Sequence, residues 1–302
     1  MQNIYRTAAL GFFDGVHAGH AALLKRVLQR SGENGTRPAV ISFDVHPDNL
    51  VLGGEVALIN SAPERKRIIK EHFGIDDVIF LRFTEELMKM DWESFLDLAV
   101  SRFGIRHFVV GYDFTFGYRG LGKTAQLTEY CERKGLGCDI IPPVYMDGSA
   151  VSSTRIRALI EEGKILDANR LLGHGYSVTG TVIHGLNNGE KLGFPTLNIK
   201  MPEHQVIPRF GVYAATVKTE DGLEYRAATD IGIKPTVDAA AREILVESNL
   251  FDFDRDIYGE TVTVTLHKFM RPEQKFASFD ELKTRIAADI TDIREYFDEK
   301  FV

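Results

Sequence analysis

The stretch from Gly11 to His20, GFFDGVHAGH, constrains the fold of this chain more than any other segment. An apolar run ending at Leu10 precedes it, and apolar residues at helical spacing follow it from Leu23 onward, so it is predicted to be a turn between a strand and a helix. Its glycines permit tight turns, and His17 and His20 fall three residues apart at the helix start. Because backbone amides and the positive end of the helix dipole point at that position, the stretch predicts a phosphate-binding site.

The glycine spacing fits neither the P-loop pattern nor the dinucleotide-binding pattern, which leaves a site of the H-x-G-H type. GxFDGxHxGH resembles the signature of the nucleotidylyltransferase superfamily, whose members transfer a nucleoside monophosphate from a triphosphate and release pyrophosphate. A later stretch, Val151–Arg157 (VSSTRIR), opens another predicted helix and resembles the second motif of that superfamily, in which hydroxyls and an arginine bind the triphosphate. Each stretch also has a purely structural interpretation. The first could be a glycine-rich turn with surface histidines, and the second a capped helix with surface arginines.

Length, charge and cysteine usage limit the class of protein. A chain of 302 residues predicts two domains, and a formal charge of −7 argues against a broad nucleic-acid or anionic-membrane surface. Cys131 and Cys138 lack His or Cys neighbours at metal spacing and are predicted to be unpaired thiols in a reducing compartment. With no basic, apolar leader and no apolar run of about 18 residues, the protein is expected to be cytoplasmic and not membrane-bound.

The first half alternates predicted strands and helices, which indicates a parallel sheet with helices on both faces. The predicted strands are Ala39–Phe43, Val78–Phe83, His107–Val110 and Asp139–Val144, and the predicted helices are Pro63–Phe73 and Trp92–Phe103. Ligands of such sheets bind at the carboxyl ends of the strands, where the loops at His17, His46 and Asp113 are expected.

The second half contains short β-rich segments without intervening helices, which predicts an antiparallel sheet closed into a small barrel. These segments are Tyr176–Ile183, Gly211–Val217, Arg226–Ile233, Leu245–Phe251 and Thr261–Phe269. A last helix with apolar residues from Phe279 to Phe297 at spacings of three and four is expected to dock on the barrel. We therefore predict one domain over residues 1–172, including a linker helix, and a second over residues 173–302.

Six further stretches narrow the resemblance to one family. Ser42–Pro47 (SFDVHP) and Gly111–Gly117 (GYDFTFG) resemble the T-F-x-P-H-P and G-x-D/N-F-x-F-G segments of the bifunctional prokaryotic riboflavin kinase/FMN adenylyltransferases, also called FAD synthetases. Gly189–Asn198 (GEKLGFPTLN) resembles the G-x-x-x-G-F-P-T-x-N signature of riboflavin kinases, and Glu247–Gly259 (ESNLFDFDRDIYG) follows in the family's order, after GVY and IGIKPT.

This resemblance implies a Rossmann-like α/β nucleotidylyltransferase domain followed by a riboflavin-kinase-like β-barrel with a C-terminal helix. It implies two reactions, phosphorylation of riboflavin to FMN and adenylylation of FMN to FAD. ATP, riboflavin and FMN are the implied small-molecule partners, and Mg²⁺ is the implied cofactor. The implied catalytic residues are His17, His20 and Glu247. The implied ATP and phosphate contacts are Gly11, Phe12, Asp14, Gly15, Gly19, Ser152, Ser153, Thr154, Arg155, Arg157, Gly189, Lys191 and Gly193. The implied flavin contacts are His46, Pro47, Asp113, Phe114, Phe116 and Asn249.

Thr196 and Asn198 are the expected Mg²⁺ ligands, since alternate residues of a strand point to the same side and offer oxygen atoms. Glu247 falls on the family's base position, and a carboxylate there would orient the attacking hydroxyl. Each of these residues has a structural alternative, either a strand start with an edge proline or a solvated strand residue.

The second half departs from the family pattern more than the first half does, where Val45 replaces a proline. Non-family residues stand at His174, Glu190, Asp230, Lys234 and Asn249, and arginine is not interchangeable with other cations at a bidentate phosphate contact. Three functions stay open beside the bifunctional enzyme. They are an FMN adenylyltransferase with an inactive barrel, a flavin-binding regulatory or storage protein, and a nucleotidylyltransferase for another substrate such as pantetheine phosphate or nicotinamide mononucleotide. The appended barrel argues against the last of these.

Overall fold

The computed structural model describes residues 4–47, 49, 55–184, 194–235 and 242–300. Packing divides the chain into two compact units, Met1–Ser153 and Thr154–Val302. Residues 154–172, predicted to end the first domain, thus cluster with the second unit. The domain boundary after residue 172 stays a prediction. None of the helices within the described ranges has the length and apolarity needed to cross a membrane.

The first unit is built on a five-stranded parallel sheet in the order β3-β2-β1-β4-β7, with two short hairpins beside it. Its strands are β1 Arg6–Leu10, β2 Arg37–Phe43, β3 Asp77–Leu81, β4 Ile105–Gly111, β5 Thr115–Phe116, β6 Gly122–Lys123, β7 Gly137–Ile141, β8 Tyr145–Met146 and β9 Ser149–Ala150. Its helices are α1 Ala18–Asn34, α2 Ala62–Phe73, α3 Glu85–Lys89, α4 Trp92–Phe103 and α5 Thr124–Lys134.

Alternate residues of the central strand pack into two separate cores, as expected when helices cover both faces of a sheet. Ala8 and Leu10 of β1 pack with α4 and α5, whereas Ala9 packs with α1 and α2. The predicted parallel α/β architecture is therefore confirmed. The chain runs from β1 outward through β2 to β3 and then returns to β4 on the other side of β1. The switch point of the sheet therefore lies at the carboxyl end of β1.

Several details differ from the sequence-based expectation, and two of them have a local cause. Helix α5 was not predicted, because only Leu127, Tyr130 and Cys131 of its eleven residues are buried and most of the others are polar. Strand β7 ends at Ile141, before the expected Val144, since Pro142 and Pro143 offer no N–H group to the sheet. Both cysteines are free thiols.

The second unit contains a six-stranded antiparallel sheet in the order β10-β15-β12-β13-β14-β11. Its strands are β10 Tyr176–Thr181, β11 Leu197–Lys200, β12 Gly211–Lys218, β13 Glu224–Pro235, β14 Arg242–Leu250 and β15 Thr261–Pro272, and the remaining helices are α6 Ser153–Glu161, α7 Ile165–Leu172 and α8 Phe279–Lys300. An antiparallel bridge between Ile183, just after β10, and Asn198 of β11 joins the two edges of the sheet, with a 2.8 Å hydrogen bond from the Ile183 N–H to the Asn198 carbonyl oxygen. The predicted small barrel is confirmed.

Helix α8 docks on one face of this sheet, as its apolar stripe predicts. Ile293 and Phe297 are buried against Val212 and Ala214 of β12. Val212 pairs with Asp230 of β13, and directly paired residues lie on the same face of a sheet. Asp230 therefore lies on the face that α8 partly covers.

Candidate functional site

The glycine-rich stretch forms a tight turn at the carboxyl end of β1. Three of its residues have positive φ values, namely Phe13 (61°), Gly15 (79°) and Val16 (42°). The turn ends at His17, which precedes α1 and caps it, because its Nδ1 accepts a 3.3 Å hydrogen bond from the backbone N–H of His20. Non-glycine residues with positive φ are strained, and such strain is typical of functional turns.

The two imidazoles of this turn are stacked. The ring centroids of His17 and His20 lie 3.7 Å apart with an interplanar angle of 15°. As the Nδ1 of His17 is an acceptor, the neutral ring carries its proton on Nε2. Burial, followed by the nearby His17 and Arg65, holds the pKa of His20 well below its ordinary value, so this ring is neutral at pH 7. His20 Nδ1 is buried and has no hydrogen-bond partner in the part of the chain that the structure describes.

Gly19 is required by this packing. A Cβ atom at position 19 would lie 3.0 Å from Cε1 of His17 and 3.8 Å from the carbonyl oxygen of Val151. The turn is therefore closely covered by the residues that precede the SSTRIR stretch. Ser153 adds a direct link, because its hydroxyl donates a 2.9 Å hydrogen bond to the carbonyl oxygen of Asp14.

Asp14 holds a neighbouring loop. Its carboxylate is buried and accepts hydrogen bonds from the backbone N–H groups of Ile59 at 2.9 Å and Asn60 at 3.3 Å. Asp14 therefore has a structural role, in addition to the phosphate contact that the resemblance implies. Thr154, Arg155 and Arg157 lie on α6 in the second unit, and their approach to the histidines stays a prediction.

The expected flavin residues of the first unit fall into two groups. His46 contacts the ring of Phe12 edge-on at 4.6 Å, beside the half-buried Pro47, and Asp113 is exposed just after β4. Phe114 and Phe116 stack on each other at 5.3 Å, and Phe116 is buried in the core. Their contact with a flavin stays a prediction.

Arg65 is the residue at this site that sequence reasoning missed. It lies on α2, is fully buried, and donates to the carbonyl oxygens of Phe12 and Phe43. Nothing in the run Glu64–Lys70 (ERKRIIK) distinguishes this arginine from its half-exposed neighbour Arg67.

The expected kinase residues of the second unit form a row across three strands. Asn198 of β11 pairs with Glu247 of β14, and Glu247 pairs on its other side with Asp230 of β13. Directly paired residues of antiparallel strands lie on the same face, and Thr196, two residues before Asn198, is predicted to share it. Asn249 donates a 2.8 Å hydrogen bond from its amide to the Pro195 carbonyl oxygen, and so holds the chain that leads into β11.

Asn198 has the properties expected of a cation ligand. The residue is 4% exposed, and its Oδ1 has no hydrogen-bond partner within the described ranges. A buried carbonyl oxygen beside a hydroxyl and a carboxylate fits the oxygen ligands that Mg²⁺ prefers. Gly189, Lys191 and Gly193, expected at the ATP phosphates, lie outside the described residues, as does Glu190.

Comparison with known proteins matches both halves of the chain. Residues 2–155 match the FAD synthetase family model, and residues 172–297 match the riboflavin kinase family model. Bifunctional riboflavin kinase/FMN adenylyltransferases are similar over nearly the full length. The relative from Listeria monocytogenes is 34% identical, covering 98% of this chain and 93% of the relative, and that from Escherichia coli K12 is 35% identical, covering 95% and 91%.

A solved structure has the same fold over nearly its whole length. The crystal structure described as a macrolide-efflux protein from Streptococcus pneumoniae superposes with a TM-score of 0.85 at 30% sequence identity, covering 96% of this chain and 94% of that one. The efflux activity in that description is a statement about the pneumococcal protein. What the superposition supports is the common architecture of the two chains.

Proposed function

The chain belongs to the family of bifunctional riboflavin kinase/FMN adenylyltransferases, which make FMN and FAD, and from this premise we propose which residues carry each reaction. The family is bifunctional, which argues against the three alternatives of an inactive barrel, a non-catalytic flavin binder and a different nucleotidylyltransferase. ATP, riboflavin and FMN are the substrates, and we place the protein in the cytoplasm.

In adenylyl transfer, the terminal phosphate of FMN attacks the α-phosphorus of ATP, and pyrophosphate leaves. No covalent enzyme intermediate is needed, because the phosphate is itself the nucleophile. His17 and His20 donate hydrogen bonds to the α-phosphate as charge grows on it. Their stacked arrangement at the start of α1, where the helix dipole also favours an anion, is the observation that carries this assignment.

The triphosphate extends from the histidines toward the start of α6. Ser152 and Ser153, followed by Arg155 and Arg157, hold its β- and γ-phosphates and orient the α-phosphorus toward FMN. The hydrogen bond from Ser153 to the carbonyl oxygen of Asp14 supports this assignment, since it links the hydroxyl motif to the turn that carries the histidines.

In riboflavin phosphorylation, Glu247 accepts the proton of the riboflavin 5′-hydroxyl as that oxygen attacks the γ-phosphate of ATP. Thr196 and Asn198 hold Mg²⁺, which neutralises charge on the ATP phosphates when it is bound. The pairing of Asn198 with Glu247 supports this assignment, because it places the proposed base directly beside a proposed metal ligand.

Two variants test the two assignments separately. The double variant His17→Asn, His20→Asn should still convert riboflavin to FMN, while FAD formation from FMN falls at least about 10²-fold, the loss expected for one oxyanion donor. Glu247→Gln should show the opposite pattern, with riboflavin phosphorylation reduced by about 10² to 10⁴. Products are separated by chromatography after incubation with Mg²⁺-ATP and either riboflavin or FMN.

Exposed residues of the same types provide matched controls. His72→Asn on α2 and Glu224→Gln on β13 should leave both rates at the wild-type value. FAD formation at the wild-type rate in the histidine double variant would refute the first assignment. Normal riboflavin phosphorylation in Glu247→Gln would refute the second.

A further inference from the structure

Arg65 is an unusual residue because a charged side chain is completely buried beside the adenylyl-transfer turn. Its guanidinium donates to the Phe12 carbonyl oxygen, to the Ser42 hydroxyl at 2.8 Å and to the Phe43 carbonyl oxygen at 2.9 Å. The guanidinium carbon also lies 4.3 Å from the centre of the Phe12 ring. Every one of these contacts constrains the chain at the carboxyl ends of β1 and β2.

The charge of Arg65 persists despite its burial. Desolvation lowers the pKa of Arg65 to about 10, against the opposing influence of the carboxylates of Asp14 and Asp44. The side chain therefore remains protonated at neutral pH. Burying a guanidinium is costly, and an apolar side chain of similar volume would often stabilise a fold as well or better. Stability of the fold alone therefore does not explain why an arginine is buried at this position.

The acceptors of Arg65 lie on the histidine turn and at the end of β2, two segments that the reaction must keep in a fixed relative placement. Phe12 lies on the turn that carries the paired histidines, while Phe43 is the last residue of β2 and directly precedes the loop that leads to His46. Ser42 strengthens the same junction, since its hydroxyl donates a 2.8 Å hydrogen bond to the Phe12 carbonyl oxygen. The Phe12 ring, in turn, contacts the ring of His46 at 4.6 Å.

The first turn of helix α2, from which Arg65 projects, is held by a capping box. Helix α2 begins with a capping box, in which the Ser61 hydroxyl accepts from the Glu64 N–H and the Glu64 carboxylate accepts from the Ser61 N–H. Arg65 follows directly and therefore projects from a fixed first turn. Its planar fork of donors can hold two carbonyl oxygens at once, which a lysine ammonium does less well.

We propose that Arg65 is a positioning residue for adenylyl transfer, which holds the histidine turn and the His46 loop in the relative placement that brings the α-phosphorus of ATP to the phosphate of FMN. The proposal rests on the assignment of His17 and His20 to this reaction. The side chain of Arg65 is 0% exposed, so we assign it no contact with either substrate. It acts through the backbone of Phe12 and Phe43.

The test compares Arg65→Met and Arg65→Lys with Arg67→Met, a control on the same helix whose arginine is half exposed and pairs with Glu71. Arg65→Met should lower kcat for FAD formation by about 10²-fold, the loss typical of a displacement of about 1 Å at a reacting centre. It should also raise KM for FMN, because the His46 loop is released. Riboflavin phosphorylation, measured on the same preparation, should stay unchanged and report that the second unit is folded, while wild-type fluorescence of Trp92, the only tryptophan of the chain, should report that the first unit is folded.

The conservative variants separate positioning from general stability. Arg65→Lys should recover part of the lost kcat, since an ammonium keeps the charge but holds one carbonyl oxygen better than two. Ser42→Ala, which removes one hydroxyl and leaves both carbonyl contacts, should fall between Arg65→Lys and the wild type. These two variants decide the question if Arg65→Met does not fold.

The proposal is overturned if Arg65→Met forms FAD with the kcat and KM of the wild type, or if Arg67→Met loses as much activity as Arg65→Met does. The proposal is also overturned if every Arg65 and Ser42 variant that loses FAD formation loses the wild-type fluorescence of Trp92 as well, because that result indicates a structural role only. The histidine double variant distinguishes a failure of the site assignment from a failure of the Arg65 proposal. If it retains FAD formation, the site assignment itself is wrong, whereas loss in that variant with normal Arg65→Met kinetics refutes the Arg65 inference alone.

Discussion

Acidification is expected to destabilise the second unit through His267 of β15. The Nε2 of its ring lies 3.0 Å from the Thr216 hydroxyl, and the ring packs edge-on against Phe297 of α8 with centroids 5.4 Å apart. Burial, with a smaller contribution from the positive charge of Lys300, lowers the pKa of His267 from 6.5 to about 4. The native state therefore favours the neutral ring.

The magnitude follows from proton linkage. Above pH 6.5 the ring is neutral in both the native and the unfolded chain, so the full stability is present. As the pH falls below 6.5 the unfolded chain binds a proton that the native chain does not, and the free energy of unfolding decreases by about 1.4 kcal/mol per pH unit. His267 should therefore cost the second unit about 2 kcal/mol at pH 5 and about 3 kcal/mol once the pH passes its native pKa.

The measurement compares the wild type with His267→Gln, which retains a hydrogen-bonding side chain but does not titrate. Urea titrations at pH 7.5 and pH 5, followed by amide exchange in β12 and β15, give the free energy of unfolding of the second unit. The wild type should lose about 2 kcal/mol more than the variant between these two pH values. His72→Gln, at an exposed position, should behave as the wild type does. Equal losses in the wild type and His267→Gln would refute the reasoning.

Three further changes probe other parts of the molecule. Asn198→Leu, which removes a buried oxygen atom, should raise the Mg²⁺ concentration needed for riboflavin phosphorylation and leave FAD formation from FMN unchanged; an unaltered Mg²⁺ titration would contradict the metal assignment. Gly117→Ala should lower the melting temperature of the first unit, because φ is +71° and the added Cβ would lie 2.6 Å from the Cα of Trp92; calorimetry showing wild-type stability would contradict this. Asp289→Asn should cost the second unit about 3–5 kcal/mol in urea titrations, since this buried carboxylate binds Arg271 at 2.6 Å; a loss near zero would show that the ion pair is not stabilising.

Local patterns in the sequence predicted the architecture, which the structure confirms, and the residues that we propose for the site. The turn from Gly11 to His20, the alternation of strands and helices, and the β-rich second half each depend on residues close together in the chain. Periodicity, glycine placement and helix caps act over such short separations, so they can be read without knowing the fold. The motifs predicted the family, and family models match both halves.

Tertiary structure decided which side chains meet. Arg65 bonds to acceptors 53 and 22 residues away in the chain, and no local signal separates this buried arginine from Arg67. The row formed by Asp230, Glu247 and Asn198 likewise depends on the registers of β13, β14 and β11. A register is set by pairing between distant segments, and burial by packing of the whole unit, so neither property is encoded in a short stretch of residues.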